Sequence, residues 1–248
     1  MQNATHINLP IYVINLDRSL ARRQGMQAQL NFLGLDYEIV SAVDGMKLSP
    51  LELSQYSEIA AIESIGKPLV NTQIGCALSH LKLYARMIEQ NIPECVILED
   101  DIYLGQMFRE VLLNRNKFPA DWELINFCTD ARQEPFGDLV TDIYRCSRLL
   151  EWANRTSAYL INISGAKKLH NKGYPIRYEA DGLTGRTQIT DIKSYSIWPP
   201  VIALQDVGSE IWNAKMIDVI RPKGFMGYVQ RICRYLQRIL EPLTNPSK

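Results

Sequence analysis

The chain has 248 residues, 46% of them hydrophobic, and its 27 Lys and Arg side chains balance 27 Asp and Glu. Disordered and fibrous classes are thereby excluded, and no global charge draws the protein to nucleic acid, which is not expected as a partner. The five cysteines Cys76, Cys95, Cys128, Cys146 and Cys233 are odd in number and lack Cys-x-x-Cys spacing. That pattern disfavours a disulfide framework or a thiolate zinc site and suits a reducing cytosol.

The first apolar run, Ile11 to Leu16, is β-branched and aromatic and reads as a strand. It is too short for a spanning helix and has no basic stretch before it, so a cytoplasmic location is expected. Leu20, Met26, Leu30 and Leu33 then follow at helical spacing, and Tyr37 to Val43 reads as a second strand closed by the turn pair Asp44-Gly45. Residues 50 to 70 predict a short helix and a loop. A longer helix is predicted from Ile74 to Gln90, with Leu78, Leu81, Leu83, Met87 and Ile88 on its apolar face and Pro93 beyond its end. Cys95 to Leu98 has the composition of a buried strand and runs directly into Glu99-Asp100-Asp101. Further strands are predicted at Trp122–Phe127 and Ser157–Ile163, followed by a helix from Ser164 to about Asn171 with Ser164 as its N-cap. Such alternation predicts a three-layer α/β/α domain with a mostly parallel central sheet, binding ligands beyond the carboxyl ends of its strands. Residues 1–220 are assigned to it. Residues 221–248 are set apart as a basic amphipathic C-terminal helix and tail: Phe225, Val229, Ile232, Leu236, Ile239 and Leu240 share one face, and Arg231, Arg234 and Arg238 the other.

Three adjacent acids at a strand end are the most informative feature. Hard divalent cations take oxygen ligands, and side chains at i and i+2 of an extended chain share a side, so Glu99 and Asp101 can face one ion. An ordinary solvated strand terminus has the same composition. Arg18, Arg22 and Arg23, just after the first strand, stand where a sheet of this kind receives phosphates, or form the solvated face of a helix. Ser79 and His80, in Gly75-Cys-Ala-Leu-Ser-His80, either bond within their helix or touch a ligand's phosphate or sugar. No second His stands at zinc-ligand spacing. Asp181, in Tyr178-Glu-Ala-Asp-Gly182, is either a turn residue or a general base. Gly-x-Ser-x-Gly, Walker and Gly-x-Gly-x-x-Gly motifs are all missing, which lowers the standing of serine hydrolases, P-loop NTPases and dinucleotide enzymes.

Taken together, Ile11-Tyr-Val-Ile-Asn-Leu-Asp-Arg18 with Arg22-Arg23, then Gly75-Cys-Ala-Leu-Ser-His80, then Ile97-Leu-Glu-Asp-Asp101 resemble glycosyltransferase family 25 in order and spacing. Ser41-Ala-Val-Asp-Gly45, Ser157-Ala-Tyr-Leu-Ile161 and Pro199 to Gln205 extend the resemblance over residues 10 to 210. It implies a GT-A-like (Rossmann-like) fold, a UDP-sugar donor, Mn²⁺ or Mg²⁺, and inversion by single displacement. On this resemblance Glu99 and Asp101 hold the metal; Asn15, Leu16, Arg18, Arg22, Asp44, Ser79, His80, Asp100 and Gln205 bind the donor; and Asp181 is the catalytic base. Two positions depart from the family's pattern: Gln73, where an acid often precedes Ile-Gly-Cys, and Gly182-Leu183, where a second acid and an aromatic often follow Asp181.

The bacterial branch, which builds lipopolysaccharide and lipooligosaccharide, is the expected one. Galactose is the first choice of hexose and glucose the second. The basic C-terminal helix suits an anionic inner leaflet presenting a lipid-linked oligosaccharide acceptor, placing the protein peripherally on the inner face of a bacterial inner membrane. Packing of that helix on the catalytic domain is the competing reading. A non-catalytic nucleotide-sugar or glycan-binding module on the same scaffold is the functional alternative.

Overall fold

A computed structural model describes residues 7–129, 131–153 and 155–205. The basic amphipathic segment expected at 221–248 lies outside the described residues. Among the described residues no helix is long and apolar enough to cross a membrane.

Burial on both alternating faces makes Ile11–Asn15 an internal strand, β1, and α1 (Leu20–Phe32) follows it, packing Met26 and Leu30 inward. β2 (Glu38–Ser41) comes next, shorter than its apolar run because Asp44 caps a 3-10 turn, Gly45–Lys47, through its acceptance of the Met46 amide. Residues 50 to 70 hold two helices rather than one, α2 (Pro50–Leu53) and α3 (Glu58–Ile65). Each has its own serine cap: Ser49 accepts from the Glu52 amide and Ser57 from that of Ala60. α4 (Asn71–Glu89) leads into β3 (Glu94–Glu99), β4 (Ile102–Leu104) and α5 (Phe108–Leu113). β5 (Leu124–Asn126), β6 (Asp138–Leu139), β7 (Arg145–Arg148) and β8 (Ala158–Asn162) follow. The described chain is completed by α6 (Ile163–Gly173), α7 (Ala180–Gly185), α8 (Thr187–Thr190), β9 (Ser194–Trp198) and β10 (Ile202–Leu204). The cap of α6 is Asn162, which accepts from the Gly165 amide; the predicted cap, Ser164, instead donates its hydroxyl to Glu123.

Eight strands form one sheet in the order β2-β1-β3-β8-β5-β9-β7-β6, and β4 and β10 form a separate antiparallel ribbon. The parallel organisation read from the sequence describes β2-β1-β3 and β5-β9, whereas β8 runs antiparallel to both its neighbours, as does β7 to its own. β8 starts at the end of the sheet where β3 and β5 finish, with Ala158 opposite Leu98 and Asn162 opposite Glu94, and so runs back against both. That return sets Ser157 beside the acidic strand end: its carbonyl accepts the Glu99 amide at 2.8 Å.

Strand alternation splits the interior in two. Ile11, Val13, Val96, Leu98, Ile125 and Leu160 face α1 and α5, while Tyr12, Ile14, Cys95, Ile97, Tyr159 and Ile161 face α4 and α6. The molecule is therefore a three-layer α/β/α structure. Close approach of α4 to the loop after β2 requires Gly75, since a Cβ there would lie 2.7 Å from the Val43 carbonyl and 2.8 Å from the Gly45 nitrogen.

Candidate active site

β3 ends at Glu99, and the three acids part there: Arg22 reaches Asp100 and Asp101, whereas Glu99 turns to α4. Glu99 falls on the α4 side of the sheet, where its Oε1 is 3.3 Å from Nε2 of His80 and 3.8 Å from Sγ of Cys76. His80 is itself fixed: Nδ1 is 2.8 Å from the Tyr159 hydroxyl, which is 2.7 Å from the Tyr84 hydroxyl. A buried chain of polar groups therefore ends on Glu99. Burial alone would raise the Glu99 carboxyl, but the hydrogen bond and charge of His80, with hydrogen bonds from Ser157 and Cys76, hold it below its ordinary value. Burial, and then the Glu99 charge, push the Cys76 thiol well above its usual range, so it is not a ready nucleophile.

Asp100 turns toward α1, where Asn15 donates to it at 2.6 Å and Arg22 at 3.3 Å. Asn15, buried at the end of β1, also donates to the Ser19 carbonyl, and the Leu16 carbonyl accepts the Ser19 amide, so this turn is held from both sides. Asp101 lies between, with Arg22 at 3.7 Å. Its Oδ1 is buried with no protein partner, and its carboxyl is raised by burial, then by the Glu99 charge, against the opposing pull of Arg22. Gln205 is brought alongside by the β4–β10 ribbon; its amide donates to the Asp101 carbonyl at 2.8 Å and its side chain to Ile102. At the mouth, Arg18 pairs with Asp44, and Ser41 donates to Asp17. Ser79 accepts from the Val43 amide and donates to the Gly75 carbonyl, both at 2.8 Å, which commits its hydroxyl to joining α4 to the loop after β2.

Beside Glu99 opens a cleft of about 440 Å³, bordered by Gln73, Cys76, Trp152, Arg155, Glu179, Asp181 and Arg186 among others. Asp181, one of whose readings is a turn residue, stands in the first turn of the helix α7, its Oδ1 accepting from the Gly182 amide. Burial first, and then Glu179 and Glu99, raise its carboxyl, opposed by the Gly182 hydrogen bond. Gln73 folds back to accept from the Val70 amide at 3.0 Å, a helix-capping use of a position where the family often has an acid.

The structure thus gathers Asn15, Leu16, Arg18, Arg22, Asp44, Asp100, Asp101 and Gln205 on one side of Glu99, and Asp181 across a cleft on the other. Cys76 and Tyr84 join the site without being candidates on sequence grounds, although with His80 they stand at i, i+4 and i+8 of one helix, a visible stripe. Trp152, Arg155, Glu179 and Arg186 come from separate segments and carry no shared signal. Cys76, His80 and Glu99 offer three ligand atoms within 4.8 Å of one another.

Carboxylates at a strand's carboxyl end, arginines in the turn and helix after β1, and a cleft alongside define the class as an α/β domain with its polar groups where such folds bind ligands. The family model described as Glycosyltransferase family 25 (LPS biosynthesis protein) matches residues 8–184, and the chain belongs to that family. A "Glycosyltransferase 25 family member" from Anopheles gambiae is 33% identical over 167 residues, 64% of this chain and 28% of that protein. "Procollagen galactosyltransferase 1-A" of Xenopus laevis is 29% identical over 65% of this chain and 28% of its own length; the human "Procollagen galactosyltransferase 2" is 28% identical over 64% and 27%. The chain therefore spans little more than a quarter of the curated relatives it matches. Two solved structures align with it: a glycosyltransferase involved in the glycosylation of the major capsid of PBCV-1 (6% identity, TM-score 0.35, 66% of each chain) and mouse xyloside xylosyltransferase 1 (11%, 0.33, 71% of this chain and 67% of that one).

Proposed function

We propose that this protein transfers a hexose, galactose first and glucose second, from a UDP-sugar to a hydroxyl of a lipooligosaccharide acceptor, with inversion. The observation that carries this reading is that Glu99, the first of the three strand-end acids, borders the same cleft as a second, raised carboxylate, Asp181. Family membership supports glycosyl transfer, the two relatives named as galactosyltransferases support galactose, and the family's description supports a lipopolysaccharide-type acceptor.

In this reading Arg22 and Arg18 attract the donor diphosphate, and Asn15, Leu16, Asp44, Ser79, His80, Asp100 and Gln205 build the walls that hold the nucleotide. The Tyr84–Tyr159–His80 chain keeps Glu99 in one rotamer. Asp101 and Glu99 would hold a divalent cation, since Asp101 has a buried oxygen without a protein partner and both side chains offer the hard oxygen donors that Mn²⁺ or Mg²⁺ takes; such an ion would supply positive charge to the departing phosphate. Asp181 takes the acceptor hydroxyl proton on the carboxylate oxygen that Gly182 leaves free, as the acceptor oxygen bonds to the anomeric carbon and the bond to UDP breaks. Peripheral attachment to an anionic inner leaflet through residues 221–248 completes the proposal.

The test is incubation of the purified protein with UDP-galactose or UDP-glucose, lipooligosaccharide and Mn²⁺, reading transferred hexose by mass. Transfer of one hexose is the expected result. UDP-sugar binding without transfer or hydrolysis would overturn it in favour of the non-catalytic binding module.

A further inference from the structure

Among the described residues, two guanidinium groups that border the cleft beside Glu99, those of Arg155 and Arg186, form no ion pair with a carboxylate. Arg186 sits 4.3 Å from the ring centre of Trp152 and 5.5 Å from that of Tyr178, and its Nε is buried with no hydrogen-bond partner. Among the described residues neither it nor Arg155 forms an ion pair, although both border the cleft; Lys67, the other cation there, pairs with Glu179 at 3.2 Å. Stacking removes rotamer freedom from Arg186, so its charge is presented in a fixed orientation. Trp152 is fixed as well. Its indole N–H donates to the Asp181 carbonyl at 3.0 Å, and a Cβ on Gly185 would come within 1.9 Å of its ring. It remains 42% exposed at the cleft. An exposed, immobilised indole is the surface on which the apolar face of a pyranose rests. Its tie to the backbone of Asp181 sets such a ring beside the carboxylate assigned as base.

Resting on the reading above, we infer that Trp152, Arg155 and Arg186 form the acceptor subsite, and that the sugar it takes carries an anionic substituent, a carboxylate or phosphate, near the accepting hydroxyl. Neutral sugars gain the Trp152 contact and ordinary hydrogen bonds to their hydroxyls. Acidic ones gain charge-assisted hydrogen bonds from two guanidiniums, whose planar donors match a carboxylate or phosphate.

Binding is measured by calorimetry on the full chain, so no turnover is needed and failure of the transferase reading stays separate. The probes are methyl β-glucuronide, glucose 6-phosphate, methyl β-glucoside and UDP. At least one acidic sugar should bind about tenfold tighter than the neutral glucoside, a preference that added salt weakens. The ratio should collapse toward one in Arg155→Gln and Arg186→Gln. Arg186→Lys, which keeps the charge but not the stacked plane, should retain part of it and guards against a folding defect. Equal binding of neutral and acidic sugars by the unaltered protein would overturn the inference. So would a loss of UDP affinity in both Gln variants matching the loss for the acidic sugar, since the guanidiniums would then serve the donor diphosphate.

Discussion

The strand ends and the cleft solve the same problem of holding polar groups in different ways. At the ends of β1, β2 and β3, nearly every side chain is tied to another: Asn15 and Arg22 to Asp100, Arg18 to Asp44, Gln205 to the backbone of β4 and Asp101. Across the cleft, Asp181, Arg155 and Arg186 keep donor or acceptor capacity unspent, and Asp101 with its orphaned oxygen marks the border between the two. A site tied in this way is preorganised for one ligand. A wall left unsatisfied is the part that a second ligand completes.

Asp101 is the sharpest place to break that contrast. Asp101→Asn should lower turnover on the order of 10³-fold if it is a metal ligand. The same change should raise the melting temperature of metal-free protein at neutral pH. Its carboxyl is raised in the fold, so ionisation opposes folding, and stability contributed at low pH is lost as pH rises through the folded value. Loss of activity with loss of stability would instead make Asp101 a structural residue.

Asp181→Asn should reduce kcat/KM about 100-fold and erase the acid limb of the pH profile. Burial raises this carboxyl, so in the unaltered protein the limb should lie above the ordinary aspartate range, with the rate increasing as pH rises. Gly75→Ala forces a Cβ onto the backbone of the loop after β2 and should cost about 2 kcal/mol by chemical denaturation, disturbing the strand-end side but not the cleft wall. Tyr159→Phe cuts the chain that ends on Glu99 and should cost about 1 kcal/mol while raising the KM for metal. The smallest effect is remote from both regions. The Ser49 amide, Lys82 and the Ser49 hydroxyl bring the Glu52 carboxyl down to about 2, so its small stabilisation is present above the ordinary glutamate range and fades as pH falls through that value; Glu52→Gln should flatten this acid dependence of the melting temperature.

What could be read from the sequence follows this division. The strand-end residues lie in short contiguous runs, Ile11 to Arg18, Ser41 to Gly45 and Ile97 to Asp101, each a strand followed by its polar end, so periodicity and composition locate them. Resemblance alone points to Gln205, because its approach to Asp101 depends on the β4–β10 ribbon. The cleft wall is built from residues near 73, 152–157 and 179–186, none of which is periodic. β8 was legible as a strand, but its direction was not, since direction depends on the path of residues 127–157 rather than on any property of the strand itself. Ser79 had two readings, and its hydroxyl proves to be engaged between the Val43 amide and the Gly75 carbonyl, while His80 proves to reach the acidic strand end directly.

The most direct test of the central claim is hexose transfer from UDP-galactose to lipooligosaccharide by the purified protein, with Mn²⁺ and with chelator, beside Asp101→Asn. Transfer that requires the metal and is lost in the variant is the predicted result; transfer unchanged by chelator and by the substitution would contradict the assignment of the acidic strand end as the donor site.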